Sequence, residues 1–173
     1  MNRSPSQTRF DPMERPSFQT LLQGLPVLGR SGDWTAKITG LVTDSRRILP
    51  GSLFFALPGL RSDGHEYLDD VIARGAAAVI SARPVTGLPA VAAAQVVDPR
   101  KVLAEVARRF HGHPETALQL VGVTGTNGKT TVTSLLRHLL QTDGSQWGLV
   151  GTVRYHLGRR SIPSYKTTPE SAD

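Results

Sequence analysis

One segment constrains this chain more than any other: LQLVGVTGTNGKTTVTSLLRHLL, from Leu118 to Leu140. Leu118 to Val123 reads as a buried-type strand, and Lys129 to Leu140 as a helix. Between them lies a turn rich in glycine. Glycine lets the backbone take positive φ and lets an anion approach where a Cβ would stand. Successive N–H groups can then converge on phosphate oxygens, and the start of the helix adds unsatisfied donors and the positive end of its dipole. Gly125, Thr126, Asn127, Gly128, Lys129, Thr130 and Thr131 are therefore the expected ATP-binding residues. Lys129 supplies a cation for the outer phosphates, and the Thr130 hydroxyl is placed to ligate Mg²⁺. The common spacing G-x-x-x-x-G-K-[ST] is not met. Counting back from Gly128, its first position holds Val123, while Gly122 falls one residue early.

The rest of the chain alternates. Residues 1–16 are polar and contain proline, and read as a disordered tail. A short helix is expected from Ser17 through Phe18, Leu21 and Leu22 to about Gly24. Strands are expected at Ile38–Thr43, Ser52–Leu57, Ala76–Ser81 and Pro89–Val97. Tyr67, Leu68, Val71 and Ile72 fall at helical spacing before Gly75. Asp98 or Pro99 opens a helix carrying Val102, Leu103, Val106, Ala107 and Phe110 on one side. His111-Gly-His-Pro114 breaks the pattern. Beyond the loop and its helix, Trp147–Val153 reads as a strand and Arg154–Ile162 as a hairpin through Gly158. The fold class is α/β: a small N-terminal α/β domain over 17–114, then the start of a P-loop-type ATP-binding α/β domain over 115–173. A doubly wound sheet needs several more strands than this second part offers, so a truncated domain is expected.

Composition narrows the function. The 173 residues include no cysteine, which excludes disulfides, thiolate metal sites and a cysteine nucleophile. No apolar run approaches the ~20 residues that span a bilayer, and no secretory signal is readable, so a cytoplasmic protein without a membrane partner is expected. The net charge of +6 comes from scattered basic residues rather than a dense run. No nucleic-acid partner is expected from them. Asp44 and Arg46 can pair across a turn or meet a substrate. His65 reads as a helix-start residue, His138 as a surface residue, and His111 and His113 lack a third metal ligand. Trp34 and Trp147 read as packing residues.

The form G-T-N-G-K-T after V-G-V-T resembles the Mur ligases and their relatives, the folylpolyglutamate and cyanophycin synthetases. Two further stretches are similar to Mur ligases that extend the stem peptide of the cell-wall precursor. One is Thr43-Asp-Ser-Arg46 with Pro50-Gly-Ser-Leu-Phe-Phe-Ala-Leu-Pro-Gly59 and Asp63-Gly-His65. The other is Lys166-Thr-Thr-Pro-Glu170, which resembles the segment of the ligase adding the third residue. The resemblance covers nearly everything from Ile38 onward. It implies an ATP- and Mg²⁺-dependent amide ligase of peptidoglycan synthesis, and with that a role in cell shape and cell division. Its substrate would be a UDP-N-acetylmuramoyl dipeptide. ATP would phosphorylate the D-glutamate side-chain carboxylate, and the amino group of meso-diaminopimelate or lysine would displace the phosphate. Lys129 would be catalytic, stabilising charge on the transferring phosphoryl group. Thr43 and Ser45 match uridine contacts, Leu60, Arg61 and Ser62 a loop at the nucleotide, and Thr167 and Thr168 contacts to the muramyl peptide. Family members often carry His-Gln-Ala where Leu60-Arg-Ser62 stands, and asparagine at Lys166. A monomer is expected. The competing readings are a UDP-sugar or nucleotide-binding module without ligase activity, and a basic P-loop protein acting on nucleic acid.

Overall fold

The computed structural model describes residues 15–59, 63–85, 91–141, 146–158, 160–165 and 169–172. Residues 1–14 of the expected tail and five expected ligand residues (Leu60, Arg61, Ser62, Thr167 and Thr168), together with Lys166, lie outside the described residues, whereas Pro16, expected in the tail, is buried and accepts Ile38 N at 2.9 Å. The chain divides into two compact units, Met1–Ala117 with Ser171–Asp173, and Leu118–Glu170.

The first unit is a sheet covered on both faces. Its strands are β1 (Gly29–Ser31), β2 (Gly40–Val42), β3 (Ser52–Ala56), β4 (Ala78–Ser81) and β5 (Ala92–Gln95), in the order β1-β5-β4-β3-β2. β2 to β5 run parallel and β1 closes the edge antiparallel to β5. Consecutive parallel neighbours require crossovers that return the chain to the same end, so the carboxyl ends of β2, β3, β4 and β5 share one rim. Because side chains alternate, β3 buries Leu53 and Phe55 on one face and Phe54 and Ala56 on the other. On the first face lie α1 (Phe18–Leu22) and α3 (Pro99–Phe110), which contribute Phe18, Leu21, Val102, Leu103 and Val106. On the second lies α2 (Leu68–Ala73), with Leu68 and Val71 joined by Ile48.

The ends of these helices follow from single residues. The Ser17 hydroxyl accepts from Thr20 N, and the Asp98 carboxylate accepts from Arg100 N and Lys101 N ahead of Pro99. Arg109 in turn donates to Leu21 O and Gln23 O at 3.0 and 2.7 Å, capping the last turn of α1 with a charge. The expected strand at 38–43 is shorter, Gly40–Val42, and the expected 76–81 begins at Ala78. β1 has no counterpart in the expectation. It contains no apolar residue and is held by pairing with the alanines of β5.

The second unit holds α4 (Lys129–Leu140) and an antiparallel sheet of β6 (Leu149–Val150), β7 (Arg154–Leu157) and β8 (Arg160–Pro163), with Gly158 at φ 60° in the hairpin turn. Two expectations fail here. Leu118–Val123 forms no strand, and Leu118, Leu120 and Val121 are exposed. A strand exists only as part of a hydrogen-bonded ladder, and among the described residues none pairs with this segment. The expected strand 147–153 shrinks to Leu149–Val150 for the same reason, since it has a neighbour on one side only.

Candidate functional site

The glycine loop expected to bind phosphate takes a turn geometry without a flanking ladder. Gly125 and Gly128 take φ of 147° and 78°, values that side chains disfavour. Space is not the constraint, because a Cβ at Gly128 would meet nothing within 4 Å. Gly128 stands at the start of α4 and offers no side-chain cap. The first intrahelical bond runs from Val132 N to Gly128 O, at 2.9 Å. The N–H groups of Lys129, Thr130 and Thr131 therefore have no helical acceptor, and they stand beside the positive end of the helix dipole. Such a helix start selects an anion. The Lys129 ammonium folds back over the loop, donating to Gly125 O at 2.6 Å and to Thr126 O at 3.4 Å. Thr126, Asn127, Thr130 and Thr131 are exposed, and Lys129 is half-buried.

For Mg²⁺ the described residues offer the Thr130 hydroxyl here and no cluster of three acidic or histidine side chains. That fits an ion which takes most of its oxygens from phosphate and water. For ATP the fit is the set of three amides and one lysine.

The rim of the first unit carries the second group of expected residues. Thr43 and Ser45 follow β2 and are half-buried. Between them Asp44 accepts Arg46 N at 3.1 Å and takes the Arg46 guanidinium at 2.9 and 2.6 Å. Of the two readings of Asp44 and Arg46, the geometry shows the pair. The Arg46 hydrogen bond holds the Asp44 carboxyl down to about 2. A cavity of about 230 Å³ opens beside Thr43, lined also by Thr39, Val42, Arg47 and Leu49. A larger cavity, about 560 Å³, flanks α1 near Ser17, Gln23 and Arg30 and holds none of the expected ligand residues.

Sequence reasoning missed a polar cluster on the same rim. Ser81, the last residue of β4, is 1% exposed. Its hydroxyl meets His65 Nδ1 at 2.9 Å and accepts Arg83 N at 3.1 Å. Asp63 accepts His65 N at 2.9 Å and pairs with the Arg83 guanidinium at 2.7 Å. His65 is thus both a residue at a helix start, as expected, and a side-chain partner of β4. The available signal was a serine closing the apolar run Ala78-Val-Ile. The stem beneath is tight: Gly64 N donates to Leu57 O at 3.0 Å, and a Cβ on Gly64 would lie 2.8 Å from Ala56 Cα.

An open parallel sheet with a polar rim at its strand ends, and a separate glycine loop opening a helix, define an α/β protein whose strand ends and helix start are its candidate ligand sites. Two family models match this chain: the Mur ligase family catalytic domain over residues 37–111, and the Mur ligase middle domain over 123–173. The chain belongs to the Mur ligase family. It is similar to the UDP-N-acetylmuramoyl-L-alanyl-D-glutamate–2,6-diaminopimelate ligase of Geobacillus kaustophilus, 44% identical over 88% of this chain and 31% of that protein. The ligase of the same name from Solibacter usitatus is 47% identical over 79% of this chain and 28% of its own length. The chain thus spans about a third of the length of these relatives. Among solved structures, a UDP-N-acetylmuramoyl-L-alanyl-D-glutamate–2,6-diaminopimelate ligase shares the fold, with TM-score 0.64 and 24% identity over 92% of this chain and 32% of that one. The UDP-N-acetylmuramoylalanyl-D-glutamyl-2,6-diaminopimelate–D-alanyl-D-alanyl ligase of Acinetobacter baumannii matches at TM-score 0.53, with 28% identity over 76% of this chain and 29% of that one. Among the described residues no helix is long and apolar enough to cross a membrane.

Proposed function

We propose that this chain is the nucleotide-handling part of a cytoplasmic, monomeric ligase of peptidoglycan synthesis. That ligase joins a diamino acid, meso-diaminopimelate or lysine, to UDP-N-acetylmuramoyl-L-alanyl-D-glutamate at the expense of ATP. On this reading residues 17–114 take the uridine end of the substrate, with Thr43 and Ser45 at the rim. Residues 115–173 begin the domain that holds ATP, and Thr167 and Thr168 face the muramyl peptide. Phosphorylation by ATP would turn a poor leaving oxygen of the substrate carboxyl into a good one, so that the incoming amine forms the amide bond as phosphate leaves; Thr130 would help hold a Mg²⁺ that neutralises phosphate charge. The amides of Lys129, Thr130 and Thr131 hold phosphate oxygens through backbone dipoles that need no reorganisation. Lys129 exchanges its contacts with Gly125 O and Thr126 O for the outer phosphate and offsets charge as the phosphoryl group moves.

The observation that carries this reading is the helix start at Gly128, where three amides without helical acceptors sit under a lysine within reach. Calorimetric titration of ATP with Mg²⁺ tests it. Lys129→Ala is expected to weaken ATP binding by about tenfold or more, the loss of one charge-assisted contact. Equal affinity in that variant would overturn the loop assignment.

A further inference from the structure

The polar cluster at the ends of β3 and β4 has no role in the reading above. We propose that His65 and Arg83 are positioning residues for the uridine-nucleotide rim. They act through Asp63 and the buried Ser81 rather than on the ligand. The proposal rests on the nucleotide reading of Thr43 and Ser45.

The register supports it. Val42, the last residue of β2, is level with Phe54 on β3, so Thr43 leaves the sheet beside the end of β3. Ala56 is level with Ser81, and Ser81 with Gln95. Ala56 and Ser81 thus stand side by side at the rim, with the chain leaving β2 on the far side of β3. Neighbouring strands lie ~4.8 Å apart, so the ends of β2 and β4 are separated by roughly 10 Å. A nucleoside diphosphate laid over the rim between Thr43 and β4 would have to cross the end of β3.

What crosses the end of β3 is the stem made by Leu57, Pro58, Asp63 and Gly64. Backbone contacts join its two sides, through Gly64 N to Leu57 O and the bridge between Pro58 and Asp63. Nothing in those bonds fixes the stem relative to β4. The side chains do. The Arg83–Asp63 ion pair ties one side of the stem to the chain leaving β4, and the His65–Ser81 hydrogen bond ties the next residues to the strand itself. Ser81 is buried, so its hydroxyl is a fixed point. The backbone N–H of Arg83 is anchored on that hydroxyl, while its guanidinium pairs with Asp63. The cluster is a cross-strand brace that sets how far the stem stands above the rim.

The test uses the full chain with uridine 5′-diphosphate as probe, titrated calorimetrically, and ATP with Mg²⁺ as the internal comparison. Arg83→Gln and Ser81→Ala are each expected to weaken the uridine diphosphate affinity by about three- to tenfold, the range of a partly exposed ion pair or hydrogen bond. ATP affinity should stay unchanged. Arg83→Lys, which keeps a charge for Asp63, should recover most of the loss. A merely structural role predicts instead a lowered thermal midpoint with both nucleotides affected, and that result would overturn the proposal. So would unchanged uridine diphosphate affinity in Arg83→Gln and Ser81→Ala. Failure of the wild-type chain to bind uridine diphosphate would remove the nucleotide reading and this proposal together. Binding by the wild type with indifferent variants removes this proposal alone.

Discussion

The two units share an α/β composition and differ in what their helices rest on. In the first, α3 buries Pro99, Val102, Leu103, Val106 and Ala107 against a sheet that α2 covers from the other side. In the second, α4 is as long as α3 and has no buried residue, with Val132, Leu135 and Leu139 exposed. Helix stability in proteins comes mainly from packing an apolar face rather than from propensity. The contrast separates two kinds of specification. The glycine loop and the start of α4 are written locally and form without a buried face on the helix. The strand that should precede them is written only in part, because its other half is a partner strand.

The sharpest way to break this contrast is to truncate one large apolar side chain in each unit. Phe55→Ala, at a position with no exposure, should cost about 3–5 kcal/mol in urea unfolding. Leu135→Ala, at a position 56% exposed, should stay within about 0.5 kcal/mol. Similar losses at both sites would show that α4 is packed in solution.

Glycine substitutions sharpen the comparison at a smaller scale. Gly64→Ala would place its Cβ against the backbone of Ala56 and Leu57, which should cost about 1–3 kcal/mol by the same measurement. Gly122→Ala meets nothing within 4 Å and has no positive φ, so its midpoint should match the parent. A shift at Gly122 as large as that at Gly64 would reveal a hidden neighbour.

Acid gives the smallest effect. The Arg108 hydrogen bond, helped by Arg109, draws the Glu105 carboxyl down from 4.5 to about 2. A carboxylate depressed on folding stabilises the native state above its unfolded value and loses that contribution as pH falls through the folded one. Asp44, lowered to about 2 by Arg46, behaves in the same sense. Both lie in the first unit, so its urea midpoint should fall between pH 4.5 and 2. Glu105→Gln should flatten part of that slope. A midpoint that rises on acidification would contradict the pairing.

How much of this was legible follows the same division. Ser52-Leu-Phe-Phe-Ala56 and Asp98-Pro99 with its apolar stripe are local signals, and both elements form where they were expected. β1 was illegible because Gly29-Arg-Ser31 carries no pattern and owes its extended form to β5. Leu118–Val123 carries a strand pattern and lacks the ladder. The start of α4 could be read even with Val123 in place of glycine, because Gly128-Lys-Thr fixes the helix start by itself. The brace of His65, Ser81, Arg83 and Asp63 could not be read, since its members span twenty-one positions and meet only through the register of β3 and β4.

The contact of Lys129 with Gly125 O bears on how a nucleotide would be received. A cation already bonded at 2.6 Å is not waiting in solvent. An incoming triphosphate must compete with a carbonyl for it, so the measured affinity is a difference between two bonded states. An anion too weak to displace the carbonyl would leave the side chain where it is.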